Sequence, residues 1–206
     1  MTVTRDFEGA GRRDVYRVLS SLVVPRPIAW VATLNGQGRV NLAPFSSFMG
    51  IFNPPALAID FGRKSDGSLK DTHRNLRERR DAVVHIPDEP RLEAMHASAA
   101  ELPETESELE RLGLETTPSL KVAPPRLAKA AVALECRYRQ EVAMGPDSDL
   151  VILDVLAAHA ADGIWNPEID CADGGWWGPV ARLGSVGGPN YAFLGARRTL
   201  PKPRLP

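Results

Sequence analysis

Between Ile28 and Phe45 the chain has little choice but to reverse on itself. Ile28 to Leu34 is rich in β-formers, Asn35-Gly36-Gln37-Gly38 supplies residues that tolerate positive φ, and Val40 to Phe45 resumes an apolar run, so the two segments are expected to pair as an antiparallel hairpin. Around that hairpin, the stretch from Val24 to Phe48 sets a few polar groups among apolar ones. Such a mixture suits a flat, apolar ligand that is negatively charged at one end.

The flanking segments extend the same class. Arg12 to Leu22 places Val15, Leu19 and Leu22 at helical spacing and ends before Pro25 and Pro27, which predicts a helix capping a barrel end. Pro54 and Pro55 are excluded from a central strand, so the next strand is expected over Ala56 to Gly62. Asp66-Gly67-Ser68 signals a helix start, with Ser68 and Asp71 spaced as a capping box and Leu69 and Leu76 on one face as far as Arg79. Ala82 to Ile86 reads as a strand, and Arg91 to Ala99 and Glu104 to Leu112 as short helices whose acidic residues face solvent. Val132 to Ala143 and Leu150 to Ala160 read as long strands around the turn Gly145-Pro146-Asp147-Ser148. Gly163 to Gly188 is rich in Gly and Trp and carries no assignable pattern. Strands joined by hairpins, with helices inserted at intervals, predict a closed antiparallel barrel, and no G-x-G-x-x-G turn supports a doubly wound parallel sheet.

Composition narrows the function classes. The 206 residues show no linker-like break, which predicts one domain over residues 1–200 followed by an extended, Pro-rich tail at 201–206. A net charge of −1 argues against a nucleic-acid or membrane partner. Cys136 and Cys171 are far apart and suggest neither a disulfide framework nor a metal site. The N-terminal segment has no signal-peptide core, and no apolar run approaches the roughly 20 residues a bilayer requires, so a soluble, cytoplasmic protein is expected. His73, His85, His96 and His159 lack metal-ligand spacing, and no G-x-S-x-G elbow supports hydrolase chemistry.

The polar residues of interest fall in three places. A lysine at position 70, near a helix start, conflicts with the positive end of the helix dipole unless an anion lies beside it. Phosphate would resolve the conflict, with Lys70 supplying charge, Thr72 a hydroxyl, and the amides around Asp71 the remaining donors; a solvated Lys70 is the alternative. Pro44 removes a ladder donor from the segment Asn41 to Phe48, which leaves Ser46 and Ser47 either to contact ring or phosphate oxygens or to satisfy their own backbone at a barrel corner. Arg26, held between prolines, suits a phosphate or ring oxygen, or equally a surface ion pair, and Trp30 is a core residue.

Taken in order, Asp14 to Trp30, Asn41-Leu42-Ala43-Pro44-Phe45-Ser46, Asn53-Pro54-Pro55, Lys70-Asp71-Thr72 with Asn75, and Ala133-Leu134-Glu135-Cys136 form a motif set. The set resembles the flavin reductase-like, FMN-binding split-barrel family, in particular the group containing the reductase component of nitrilotriacetate monooxygenase and flavoredoxin. The resemblance implies a mainly β chain with inserted helices, folded as a six-stranded antiparallel split β-barrel that forms a homodimer with FMN, or alternatively FAD, at or near the subunit interface. It further implies Lys70 and Thr72 as phosphate ligands beside Asp71, Ser46 and Ser47 as contacts to phosphate or ring with Phe48 following, Asn41, Ala43 and Pro44 as the floor under the flavin, and Arg26 and Pro27 beside the cofactor. The activity implied is hydride transfer from NAD(P)H to flavin, with reduced flavin passed to a partner oxygenase. An electron carrier not reduced by nicotinamide and a non-catalytic ligand-binding barrel are the rival readings.

Two departures from the family pattern stand out. Phe48-Met49-Gly50 follows the serines where relatives often carry Asn, and Arg182-Leu183-Gly184-Ser185 with an insertion at Gly187-Gly188-Pro189-Asn190 precedes Tyr191. The first implies different contacts to the flavin ring, and the second a different closure over the ring and with it a different partner that reduces the flavin. Trp176 and Trp177 either line that mouth or fill a dimer seam.

Overall fold

In the computed structural model, residues 2–172, 177–184, 188–196 and 198–202 are described. The chain opens with helix α1 (Arg12–Leu22), followed by strands β1 (Arg26–Pro27), β2 (Ala29–Leu34), β3 (Val40–Phe45), β4 (Phe48–Phe52) and β5 (Pro55–Gly62). Helix α2 (Asp71–Arg79) leads into β6 (Asp81–Ile86), the short helices α3 (Leu92–Ala97) and α4 (Glu108–Leu112), and the two-residue strands β7 (Thr116–Thr117) and β8 (Arg126–Leu127). The long hairpin β9 (Val132–Ala143) and β10 (Ser148–Ala160) is followed by β11 (Trp165–Asn166), β12 (Cys171–Ala172), β13 (Val180–Arg182) and β14 (Tyr191–Phe193).

Seven of these strands form one antiparallel sheet in the order β3-β2-β6-β9-β10-β5-β4 among the described residues. The sheet curls into a split barrel whose ladder is open between β3 and β4. Side chains close the seam: Phe45 on β3 meets Phe61 on β5 edge to face, with ring centroids 4.6 Å apart. The interior is filled by alternate residues, including Ala29 and Val31 of β2, Leu57, Ile59 and Phe61 of β5, Val84 of β6, and Val151 and Leu153 of β10. Strand β2 is also covered outside, where Trp30 and Ala32 pack with Met95 of α3, Leu109 of α4 and Val180 of β13. Burial on both faces explains its largely apolar sequence, interrupted by Thr33.

The expected hairpin forms in register, from Ala29 opposite Phe45 to Leu34 opposite Val40. Its turn is held by Asn35, whose Oδ1 accepts the amides of Gln37 and Arg39 at 3.0 and 2.9 Å, while Gly38 takes a φ of +79°. The strand count rises from the six expected to seven, because Phe48–Phe52 pairs with β5 from Phe48 opposite Ile59 to Phe52 opposite Pro55. Its pattern was hidden by Gly50 and by side chains that face water: Met49 is exposed and Phe52 is 92% exposed.

Two local expectations are corrected. The helix after β5 begins at Asp71, and no capping box forms at Ser68. The Ser68 amide instead donates to Asp66 Oδ1 at 2.8 Å, and the Lys64 amide donates to the Ser68 carbonyl at 2.9 Å, so this segment closes a turn around Gly67. Helix α1 has the expected bounds, but Leu19 and Leu22 do not pack on the barrel; Leu22 is 70% exposed and Ser20 is the buried residue. Close backbone approach sets that seating, since a Cβ on Gly184 would lie 3.1 Å from Ser21 Cα.

Segments left unassigned on sequence now have places. Strand β13 pairs with both β1 and β14, tying the C-terminal part of the chain to the start of the barrel. Trp176, Ser185, Gly187 and residues 203–206 of the expected tail lie outside the described residues. Among the described residues no helix is long and apolar enough to cross a membrane.

Buried polar groups in the β6 and β9 region serve the fold. Glu135, fully buried, accepts the amides of Leu120 and Lys121 at 2.8 and 2.5 Å and lies 2.7 Å from His159 Nε2. His85 has Nδ1 3.0 Å from the Trp30 carbonyl and accepts the Leu127 amide on Nε2 at 3.0 Å, which requires the neutral ring with hydrogen on Nδ1. Burial, partly offset by the Trp30 carbonyl, lowers its pKa to about 4. The unfolded chain takes up this proton near pH 6.5, so the stabilisation from a neutral His85 is complete above that pH and is lost as pH falls toward 4. A shift of this size corresponds to about 3 kcal/mol. We expect denaturant unfolding to show the loss between pH 6.5 and 4, and NMR titration to show His85 still neutral at pH 5.

Candidate functional site

Helix α2 begins without a side-chain cap: Lys70 is its N-cap residue, in extended conformation. The amides of Asp71, Thr72 and His73 find no acceptor among the described residues, so the positive end of the helix is open. Lys70 is half-buried, and its ammonium makes no ion pair or hydrogen bond there. Its charged neighbours are already matched. Lys64 Nζ pairs with Asp71 at 2.7 Å, and Arg74 pairs with Asp71 at 2.8 Å and Glu104 at 3.1 Å. Asp71 is thereby neutralised and does not compete with an incoming anion. Thr72, almost fully buried, accepts a hydrogen bond from Asn41 Nδ2 at 2.8 Å, which leaves its own hydroxyl hydrogen for another acceptor.

The helix start opens into a groove of two lobes. The first, about 200 Å³, is lined by Lys64, Lys70, Asp71 and Thr72 at one end and by Asn41, Ala43, Pro44 and Phe45 along its floor. Pro44, Phe45 and Ala99 also line the second, about 220 Å³, which continues past Ser46 to Tyr16, Ile28, His96, Arg182 and Tyr191. A cationic, amide-rich end followed by an apolar floor and a partly aromatic recess fits a phosphate-bearing planar ligand. The first lobe also contains Glu108, which faces inward rather than forming the solvated surface expected of this acidic run. Its Oε2 accepts the Leu42 amide at 2.9 Å, and burial raises its pKa, which weakens its opposition to an anion.

Of the residues anticipated from sequence, Asn41, Ala43, Pro44, Ser46, Lys70, Asp71 and Thr72 share this groove. Ser47 and Phe48 do not line either lobe: Ser47 is exposed and its carbonyl accepts the Asp60 amide at 2.9 Å, while Phe48 packs on the barrel core. Arg26 lines neither lobe and forms no ion pair among the described residues. Its guanidinium is buried against backbone, donating to the carbonyls of Ser20, of Val23 at 3.3 Å and of Leu183 at 3.2 Å, so it closes the C-terminal end of α1. Pro27 pairs with Ala181 in β13. His96 and Met95 of α3 were missed, because only the packing of α3 over the sheet brings them to β3. Arg182 and Tyr191 carried a signal in the altered C-terminal motif.

A polar network seats α2. His73, fully buried, stacks on Phe61 with ring centroids 5.3 Å apart and has Nε2 2.9 Å from Glu141 Oε2. Arg77 meets both oxygens of Glu141 at 3.0 and 2.5 Å, and Arg63 reaches Asp149 at 2.6 Å. The Arg77 contact, with help from His73 and Tyr138, holds the Glu141 carboxyl at a pKa of about 2. Among the described residues, no group of three His, Cys, Asp or Glu side chains could hold a metal ion.

Comparison with known proteins agrees with this geometry. The family model described as flavin reductase like domain matches residues 20–169. The chain belongs to the flavin reductase-like family. This flavin reductase-like protein is 37% identical to a protein of Halalkalibacterium halodurans, over 96% of its own length and 95% of the relative's. Its fold matches the crystal structure of nitrilotriacetate monooxygenase component B from Bacillus cereus with a TM-score of 0.89 and 32% identity, covering 97% of this chain and 99% of the other. It also matches 2-nitrobenzoate 2-nitroreductase from Pseudomonas fluorescens with a TM-score of 0.87 and 29% identity, covering 98% and 96%. Membership supports a flavin-related oxidoreductase role and a flavin cofactor.

The raised pKa of Glu108 gives a signed expectation. An acid whose folded pKa lies above its unfolded value costs stability once pH rises through the folded value. Glu108→Gln, which keeps an acceptor for the Leu42 amide, should therefore be more stable than the parent at pH 8 and indistinguishable from it near pH 4, as read by chemical denaturation.

Proposed function

We propose that the protein is an FMN-binding flavin reductase that takes hydride from NADH or NADPH and passes reduced flavin to a partner oxygenase or a small acceptor. The observation that carries this reading is the half-buried ammonium of Lys70, unpaired among the described residues, beside the open amides of α2, at one end of a groove of two lobes of about 200 and 220 Å³. Two negative charges on a phosphate would complement the lysine, the helix end and the Thr72 hydroxyl together. Asn41 orients that hydroxyl, and Ala43, Pro44 and Phe45 provide an apolar bed.

Bound flavin supplies the redox chemistry through its ring, so the chain need only bind, orient and tune it. That division of labour accounts for a groove without a nucleophile and base pair. The neighbouring monooxygenase component supports delivery of reduced flavin to an oxygenase. FMN is favoured over FAD because the cationic end accommodates a terminal phosphate. A homodimer is supported by the exposed apolar residues Leu19, Leu22 and Val23 of α1 and its exit, with Met49 and Phe52 on edge strand β4, and a reducing cytoplasm by the unpaired Cys136 and Cys171.

Lys70→Ala should weaken FMN binding by about 1–3 kcal/mol, the range for a charge-assisted contact, in a fluorescence titration. Unchanged affinity would remove Lys70 from the site. Anaerobic stopped-flow absorbance should show the bound flavin bleaching on mixing with NADH or NADPH; flavin that stays oxidised with both would instead identify an electron carrier.

A further inference from the structure

The second lobe has a charge pattern that binding of a neutral ring does not require. Arg182 and His96 are in its wall, and neither Asp nor Glu lines it. Arg182 on β13 lies opposite Tyr191 on β14, with its guanidinium carbon 5.0 Å from the centroid of the tyrosine ring. The Tyr191 hydroxyl is 2.8 Å from His96 Nδ1, and the two rings meet edge to face at 5.8 Å. His96 thus fixes Tyr191, and Tyr191 supports Arg182. On its other side Arg182 pairs in register with Arg26 across the β1–β13 ladder. Like charges so placed oppose folding. Burial lowers the Arg26 pKa below the ordinary arginine value, opposed by Tyr16 and added to by a smaller repulsion from Arg182.

An oxidised flavin ring is neutral and gains little from such a field. Hydride addition brings two electrons and one proton to the ring, and unless a second proton follows, the product carries a negative charge. An interaction made only with one of two states shifts the equilibrium between them. We propose that Arg182, positioned by Tyr191 and His96, supplies the positive charge that favours the two-electron-reduced, anionic form of flavin in this groove and so raises its reduction potential. This assignment rests on the flavin reading of the site. Reduced nicotinamide is the electron donor in that reading, and the charge left on the ring is balanced by the guanidinium in place of a second proton.

The test is the midpoint potential of FMN-loaded protein by spectroelectrochemistry, alongside the dissociation constant for oxidised FMN. Arg182→Gln should bind oxidised FMN within about threefold of the parent, while its preference for the reduced form falls about tenfold. For a two-electron couple that corresponds to a potential about 30 mV lower. Arg182→Lys, which keeps the charge, should restore most of the shift, and Tyr191→Phe, which removes the hydroxyl facing His96, should fall between. Normal FMN binding with an unmoved potential in Arg182→Gln overturns the assignment alone. A parent protein that binds no flavin overturns the site reading as well. Should the glutamine variant fail to fold, an unmoved potential in Tyr191→Phe overturns the positioning of Arg182 by its neighbours, and a potential unchanged in Arg182→Lys with a lowered one in Tyr191→Phe supports it.

Discussion

The seating of α2 on the barrel is the constraint from which the site follows. Leu76 enters the barrel interior, His73 stacks on Phe61, and Arg77 grips Glu141 on β9, so one helix is held by apolar burial on one side and by ion pairs on the other. Removing Arg77 would leave Glu141 with His73 and Tyr138 alone, and removing Glu141 would leave Arg77 with Asp149 at 3.6 Å, so either change strips α2 of its closest ion pair to β9. With the helix so fixed, its first turn has a single direction in which to present Lys70, Thr72 and three open amides. Asn41, reaching from β3 to the Thr72 hydroxyl, joins that turn to the strand that floors the groove.

The split in the barrel serves the same end. A continuous ladder between β3 and β4 would occupy the backbone where the chain must turn away at Ser46 and Ser47, whereas closure by Phe45 against Phe61 keeps the core dry without it. Pro44, which cannot donate to a ladder, stands on the edge strand of the sheet, and its ring is shared by both lobes of the groove. Electrostatics then divides the groove. In the first lobe Asp71 is paired and burial raises the pKa of Glu108, while the second lobe, otherwise apolar and hydroxyl-bearing, includes Arg182 and His96 and no Asp or Glu. A ligand with a phosphate at one end and a ring that gains charge on reduction at the other matches both halves.

Much of the fold was legible because its determinants are local. The β2–β3 hairpin follows from Asn35 and Gly38, the β9–β10 hairpin from alternating residues around Gly145, and the bounds of α1 from spacing and the prolines that follow. Errors arose where a nearby polar group had two uses. Ser68 could cap a helix or join a turn, and Asp66 decided for the turn by accepting its amide. Glu108 stood in a run of acids that reads as solvated, yet the unpaired Leu42 amide on edge strand β3 drew it inward. Strand β4 escaped notice because half of its side chains meet water and only β5 gives it a partner.

By itself the sequence determined the class of architecture and the family, and it named the residues that meet at the open start of α2, since alternation, turn chemistry and the order of motifs are properties of short segments. Only the tertiary structure decided what Arg26 does, because the Leu183 carbonyl it binds lies 157 residues away along the chain. The same holds for the second lobe, where α3, β13 and β14 bring His96, Arg182 and Tyr191 to Pro44. Contacts over such separations depend on the whole sheet being formed first, so no window of residues encodes them, and the place of Arg182 in the second lobe emerges only when the barrel closes.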